Sequence, residues 1–143
     1  MSMSIIAVDF DGTVVTHDYP NIGKDIGAIP VLKKLVAKGH KLILFSMRSD
    51  IDEVSHEKLV DYLGKGHFLT DAVNWYKENG IELHGVNVNP DTIEWSGTPK
   101  PDADYFIDDR SIGCPLIENE MYSSKPYADW IKIEEILIRK GVL

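Results

Sequence analysis

The sequence predicts an α/β fold in which helices cover both faces of a mainly parallel sheet. Short apolar runs alternate along its 143 residues with longer segments whose apolar residues recur at helical spacing. The apolar runs lack polar alternation, which indicates strands buried on both faces, as in a parallel sheet. Strands that alternate with helices are typical of such a sheet. The length predicts one domain, residues 1–143, with a single core.

Four predicted strands are short apolar runs that end at polar or turn-forming residues. They are Ile5–Val8, Lys41–Phe45, Leu83–Val88 and Tyr105–Ile107. Four predicted helices have apolar residues at helical spacing between start and stop signals. Pro30 suits the first turn of the first helix, and Gly39 ends it. The other three are a helix from a cap at Asp50 or Asp52 to Gly64, a helix from a cap at Thr70 or Asp71 to Asn79, and a helix over Trp130–Ile138.

Composition and charge exclude several classes of protein. Hydrophobic residues make up 43% of the chain and charged residues 27%, the balance of an ordinary globular domain. The formal net charge of −8 argues against broad non-specific binding to nucleic acid, although it leaves room for a local basic pocket. The apolar run Ile5–Val8 is too short for a signal peptide or a membrane span. Because Cys114 is the single cysteine, we expect no intrachain disulfide and a cytoplasmic protein.

The first predicted strand ends in two carboxylates, Asp9 and Asp11, followed by Gly12. Open α/β sheets bind their ligands at the carboxyl ends of the strands, and residues two apart on a strand point to the same side. Two unit charges about 4 Å apart repel by roughly 4 kcal/mol at an effective dielectric constant of about 20. A shared divalent cation removes that repulsion, so this stretch predicts a metal site. Two turn residues at a strand end are the structural alternative.

Two further strand ends carry polar side chains. Ser46 and Arg48 follow the second predicted strand, and Asp108 and Asp109 follow the fourth. Right-handed crossovers bring the carboxyl ends of parallel strands to one edge of the sheet. We therefore expect these side chains to lie near Asp9. A serine that only forms a turn and an aspartate pair that only caps a helix are the alternatives.

The order of these residues resembles the haloacid dehalogenase (HAD) superfamily of phosphohydrolases. The resemblance rests on the Asp-Phe-Asp-Gly-Thr-Val motif at 9–14, a serine after the second strand, a lysine in a later loop and an Asp-Asp pair after a later strand. It covers the whole chain at the level of architecture and implies a three-layer Rossmann-like fold. Few residues separate Thr13 from the first helix, and core elements occupy the segment between Ser46 and Lys100. The sequence is therefore similar to members without a cap domain.

The resemblance implies a Mg²⁺-dependent phosphomonoester hydrolase. Asp9 would be the nucleophile that forms an aspartyl-phosphate, and Asp11 the general acid and base. The implied metal ligands are the Asp9 carboxylate, the Asp11 backbone carbonyl and Asp108. Asp109 would bind the metal through water or orient Lys100.

The resemblance also implies groups that bind the transferring phosphoryl group. Ser46 would donate a hydrogen bond to a phosphoryl oxygen, and Lys100 would neutralise charge. Lys100 lies closer to the Asp-Asp pair than this lysine does in many members, so Lys24 is an alternative. Arg48 is a candidate for binding substrate phosphate and, equally, for a structural ion pair with a nearby carboxylate. We interpret His17 as an ordinary loop residue.

A capless site is expected to be open, so the substrate stays undefined. A phosphorylated small molecule and the phosphorylated end of a macromolecule both fit, and a neighbouring subunit in a homo-oligomer is a further way to complete the site. Phosphoryl transfer to an acceptor other than water is an alternative reaction. The non-enzyme alternative is an idle or receiver-like phosphate-binding regulatory domain. Receivers normally carry the phosphorylated aspartate after a later strand than Asp9 does here, and an idle site has no need of an acid at Asp11.

Overall fold

A computed structural model of the chain describes residues 2–51 and 65–143. In chain order its elements are β1 (Ile5–Val8), α1 (Ala28–Ala37), β2 (Lys41–Leu44), β3 (Asp50–Ile51), β4 (Gly66–His67), α2 (Phe68–Glu78), β5 (Gly85–Val86), α3 (Ile93–Ser96), β6 (Tyr105–Ile107), β7 (Leu116–Ile117), β8 (Tyr127–Ala128) and α4 (Trp130–Arg139). The helix predicted to end at Gly64 lies outside the described residues.

A four-stranded parallel sheet with the order β5-β2-β1-β6 organises the fold. The central strand β1 pairs with β2 on one side and with β6 on the other. Val8, its last residue, lies opposite Leu44 of β2 and Ile107 of β6. The three strands therefore end at the same edge of the sheet. The predicted α/β fold is confirmed, and its parallel sheet and helices agree with a Rossmann-like arrangement.

One face of this sheet carries the hydrophobic core. Ile6 and Val8 of β1, with Leu42 and Leu44 of β2, are buried in one cluster with apolar residues of α1, α2 and α4. Because side chains alternate along a strand, Ala7 and its register partner on β6 lie on the opposite face. The three longest described helices thus pack on one side, so within residues 2–51 and 65–143 the predicted coverage of both faces by long helices is not observed. None of the helices within residues 2–51 and 65–143 is long and apolar enough to cross a membrane.

The bounds of α2 and β5 differ most from the prediction. α2 begins upstream of the predicted caps, so Thr70 and Asp71 lie in its first turn. The Asp50 carboxylate, on β3, accepts hydrogen bonds from the amide and the hydroxyl of Thr70 and so satisfies a free N–H of that turn. β5 is shorter than the predicted Leu83–Val88, and the backbone turns just after it at Asn87, whose φ is +59°.

The C-terminal part of the chain holds the loop that follows β1. The indole N–H of Trp130 donates a hydrogen bond of 2.6 Å to the backbone carbonyl of Thr13, and both residues are buried. The amide of Ala128 donates to the carbonyl of Gly12 at 2.9 Å. Asp129 caps α4 by accepting from two amides of its first turn, which fixes the start of the helix that carries Trp130.

We expect Trp130→Phe to destabilise the protein because it removes this donor and leaves the buried Thr13 carbonyl unpaired. The free energy of unfolding, measured by urea denaturation, should fall by about 1–3 kcal/mol. Ile131→Ala is the matched control on the same helix turn, since Ile131 is 77% exposed, and should change it by less than about 0.5 kcal/mol. Equal stability of Trp130→Phe and wild type would contradict the role of this bond.

Candidate functional site

A cavity of about 730 Å³ lies at the carboxyl edge of the sheet. Residues that follow β1, β2 and β6 form much of its wall. Among the predicted site residues, its lining includes Asp9, Asp11, Ser46, Arg48, Asp108 and Asp109. The structure therefore brings together every predicted site residue except Lys100.

Three of the carboxylates, those of Asp9, Asp108 and Asp109, converge in this cavity. One oxygen from each lies within 4.8 Å of the other two. The parallel pairing of β1 with β6 sets this approach, since the amide of Asp9 donates to the carbonyl of Ile107 at 2.9 Å. Carboxylate oxygens are the ligands that Mg²⁺ prefers in proteins. The donor set therefore fits a hard divalent cation.

The buried hydroxyl of Thr13 joins two of these carboxylates. Its oxygen lies 2.8 Å from Asp9 Oδ2 and 3.2 Å from Asp109 Oδ1, and it accepts a hydrogen bond from the Asp109 amide at 3.0 Å. Thr13 is held in turn by the Trp130 indole. Thr13 belongs to the predicted motif, but its sequence position predicts no role for it, because its contact with Asp109 links distant parts of the chain.

His17 orients Asp109 from the other side. Its Nε2 lies 2.9 Å from Asp109 Oδ2. Gly12 makes this approach possible: it has φ of +79°, and a Cβ there would lie 2.0 Å from His17 Nε2 and 2.6 Å from Asp109 Oδ2. Our interpretation of His17 as an ordinary loop residue missed this contact. The motif glycine was the one sequence signal that something approaches the backbone closely here.

Asp9 has a strongly perturbed acid–base equilibrium. Burial raises the pKa of Asp9 to about 8, with a further increase from the negative charge of Asp108, while the Thr13 hydrogen bond opposes the shift. A strongly perturbed carboxyl group in a cleft is typical of a functional site.

Asp11, in contrast, is paired with a buried cation. Nε and Nη2 of Arg48 each donate a hydrogen bond of 2.7 Å to a different oxygen of Asp11. The remaining guanidinium N–H groups donate to the backbone carbonyls of Pro20, Asn21 and Phe68 at 2.6–3.2 Å. Since a guanidinium has five N–H donors, Arg48 keeps none for a phosphate. Of its two predicted roles, the geometry supports the structural ion pair.

Ser46 keeps a donor for a ligand in the cavity. Its amide donates to the side-chain oxygen of Asn87 at 2.8 Å, which fixes the backbone after β2. Its hydroxyl oxygen accepts a hydrogen bond from the Arg48 amide at 3.0 Å. The hydroxyl hydrogen is not used by that bond, so this position suits the predicted contact with a phosphoryl oxygen.

Lys100 lines a second cavity of about 510 Å³ that adjoins the first. Phe45 and Asp108 line both cavities, so the two meet at these side chains. Nζ of Lys100 lies 5.1 Å from the centre of the Phe106 ring. Lys100 thus lies next to the first cavity, the carboxylate cavity that Asp9, Asp108 and Asp109 line, but it is not among the residues that line that cavity.

The exposed cations of this cavity are not among the predicted site residues. Arg110 and Lys125 line it, and both are exposed. Lys24, the predicted alternative to Lys100, donates to the carbonyl of Tyr122 at 2.8 Å and does not line the cavity. Lys125 comes from the segment before β8, which no motif connects to Asp9.

A conserved protein from Bacteroides thetaiotaomicron has a similar solved structure. It is 33% identical to this chain, the match covers 97% of this chain and 93% of that one, and the TM-score is 0.70. The chain belongs to the family of that conserved protein. This structural similarity supports the α/β fold and indicates no activity. No protein-family model matches the sequence, and no curated protein matches it.

The raised pKa of Asp9 predicts that Mg²⁺ stabilises the protein more at high pH. An aspartate whose pKa rises from 3.8 to about 8 on folding contributes stability below about pH 4 and loses it as the pH rises toward 8. A cation bound to the carboxylate offsets that loss. The increase in Tm on adding Mg²⁺, measured against EDTA, should therefore be larger at about pH 8.5 than at about pH 6.

Asp9→Asn is the control for this effect. It should raise the Tm of the metal-free protein above about pH 6, because the amide carries no charge to bury. It should also remove most of the increase that Mg²⁺ gives. The same increase in wild type and variant would exclude Asp9 as a metal ligand.

We expect Arg48→Met to destabilise the protein strongly. It leaves the Asp11 carboxylate and three backbone carbonyls without their donor, and removing one partner of a buried ion pair costs about 3–5 kcal/mol. Urea denaturation measures the change. Arg139→Met, at an exposed position in α4, makes the same substitution without a buried partner and should stay within about 0.5 kcal/mol of wild type. A small effect of Arg48→Met would mean that the ion pair contributes little.

Proposed function

We propose that the protein is a Mg²⁺-dependent phosphohydrolase that acts through an aspartyl-phosphate on Asp9. The observation that carries this proposal is the convergence of the Asp9, Asp108 and Asp109 carboxylates in a cavity at the carboxyl edge of the sheet. The motif order that resembles the HAD superfamily supports it independently. Asp9, Asp108 and Asp109 would hold the ion, which supplies positive charge beside the phosphoryl oxygens.

In the proposed reaction Asp9 attacks the phosphorus atom of a phosphate ester. The bond between phosphorus and the leaving oxygen breaks, and an aspartyl-phosphate forms. The Ser46 hydroxyl donates a hydrogen bond to a phosphoryl oxygen. Water then attacks the intermediate and regenerates the Asp9 carboxylate. Asp11, which lines the same cavity, exchanges the protons of the two steps.

The other residues of the cavity position these groups. Thr13 and His17 hold Asp109 from two sides, so its remaining lone pairs face a fixed direction. Arg110 and Lys125 line the cavity and would attract a phosphate dianion. Lys100, in the adjoining cavity, is the remaining candidate for the same task.

The test is phosphate release from a panel of phosphoesters, with Mg²⁺ and with EDTA. We expect release that requires the metal and falls to background in Asp9→Asn, because an amide is not a nucleophile at phosphorus. Asp102→Asn makes the same substitution at an exposed acid that lines neither cavity and should keep wild-type turnover.

Two outcomes would contradict the proposal. Full turnover by Asp9→Asn would exclude the covalent mechanism. Tight binding of inorganic phosphate with no hydrolysis of any phosphoester would favour the regulatory phosphate-binding domain.

A further inference from the structure

The adjoining cavity lies on the face of the sheet that is opposite the hydrophobic core. Ala7 and Phe106 are register partners on β1 and β6, so their side chains point to the same face. Phe45 follows β2, and its amide donates to the carbonyl of Val8 at 2.9 Å, which continues the parallel pairing beyond Leu44. The Phe45 side chain therefore points away from the core side that Leu44 occupies. A small residue on the central strand and an aromatic residue on each side of it thus line this cavity.

The two aromatic rings offer a contact surface to a ligand. The ring centres of Phe45 and Phe106 are 5.9 Å apart and the ring planes meet at 65°, an edge-to-face arrangement. Both residues are only half-buried, so their rings are accessible from the cavity. Pro99 and Ile107 extend the apolar lining. These walls suit a flat apolar group, because a third ring can pack against the two that are already there.

Lys100 supplies the positive charge of this cavity. Its Nζ lies 5.1 Å from the centre of the Phe106 ring, so the ammonium group is next to the aromatic surface. Lys100 is exposed, and within residues 2–51 and 65–143 no carboxylate forms a salt bridge with it. The ammonium group is therefore available to an anionic group of a ligand.

Continuity with the carboxylate cavity determines which part of a ligand the adjoining cavity would hold. Phe45 and Asp108 line both cavities, so a phosphate ester beside Asp9 has a direct path for its organic part. The volume of about 510 Å³ lies within the range of roughly 300–1,000 Å³ that is typical of small-ligand sites. Such sites are mostly apolar and carry a few polar groups that give specificity, which is the composition found here.

We propose that the adjoining cavity binds the organic part of the substrate, and that this part is an aromatic group with a second anionic substituent. The inference rests on the proposed function and specifies its substrate class. Phe45 and Phe106 contact the aromatic group, and Lys100 pairs with the anionic substituent. In this assignment Lys100 determines specificity for the organic part and does not bind the transferring phosphoryl group.

The test is the affinity of the wild-type protein, with Mg²⁺, for three phosphonates, measured by isothermal titration calorimetry. Phosphonates keep the phosphoryl oxygens, but their carbon–phosphorus bond is not hydrolysed, so the result does not depend on turnover. Benzylphosphonate should bind at least about 10-fold more tightly than ethylphosphonate, the lower end of what an added apolar group contributes in a matching pocket. 4-Carboxybenzylphosphonate should bind about 3-fold more tightly than benzylphosphonate, as expected of an ion pair exposed to solvent.

Two variants assign these preferences to residues. Lys100→Met should remove the preference for 4-carboxybenzylphosphonate over benzylphosphonate and keep the preference for benzylphosphonate over ethylphosphonate. Lys140→Met is the matched control: Lys140 is exposed, its Nζ lies 5.8 Å from the centre of the Tyr105 ring, and it lines neither cavity, so both preferences should persist. Phe106→Leu should lower the affinity for benzylphosphonate more than the affinity for ethylphosphonate.

The possible results separate this inference from the proposed function. Equal affinities for benzylphosphonate and ethylphosphonate, or no binding of any phosphonate, would overturn the inference even where hydrolysis of phosphoesters requires Asp9. A carboxylate preference that is absent, or that persists in Lys100→Met, would overturn the assignment of the anionic substituent to Lys100. Both preferences without hydrolysis of any phosphoester would support the binding site and overturn the proposed reaction.

Discussion

The pairing of two neighbouring parallel strands forces negative charges together at one edge of the sheet. Val8 of β1 lies opposite Ile107 of β6, so Asp9 and Asp108, the next residues on each strand, leave the sheet side by side. The register cannot slip, because a shift of one residue would turn the buried side chains of β1 toward the wrong face. The hydrophobic core therefore fixes the acidic cluster. Burial and the charge of Asp108 together raise the pKa of Asp9 to about 8.

The two carboxylates of the Asp-x-Asp motif have opposite electrostatic surroundings. Asp9 has acidic neighbours and a threonine hydroxyl, whereas both oxygens of Asp11 accept from the Arg48 guanidinium. Different surroundings give otherwise similar carboxyl groups different chemical tasks. Asp9 needs a cation that the described protein residues do not supply, which suits a nucleophile beside a metal ion. Asp11 already has its cation, so no metal ion is needed to compensate its charge.

The parts of the site that lie at strand ends could be predicted from apolar patterns and parallel topology. Contacts made by loop residues that are distant in sequence could not. The strands β1 and β6 are apolar runs that end in aspartates, and parallel topology then brings Asp9 and Asp108 together. The contact between His17 and Asp109 joins residues that are distant in sequence, so no spacing indicates it. The sequence equally allowed Arg48 two roles, because only the folded chain shows that Pro20, Asn21 and Phe68 surround it. The location of Lys100 depends on the path of its loop, which composition does not determine.

The charges in the cavity also indicate the order in which ligands bind. The carboxylates of Asp9, Asp108 and Asp109 remain after Arg48 has compensated Asp11. Asp18, Arg110 and Lys125 also line the cavity but are exposed to water, where their effect is screened. A phosphate dianion would enter against this net negative charge. A divalent cation on the three carboxylates removes most of that barrier and at the same time relieves the buried charge of Asp9. In the proposed function, binding of the cation before the phosphate would therefore be the lower-energy order, because the cation compensates the crowded carboxylates that a phosphate would otherwise meet.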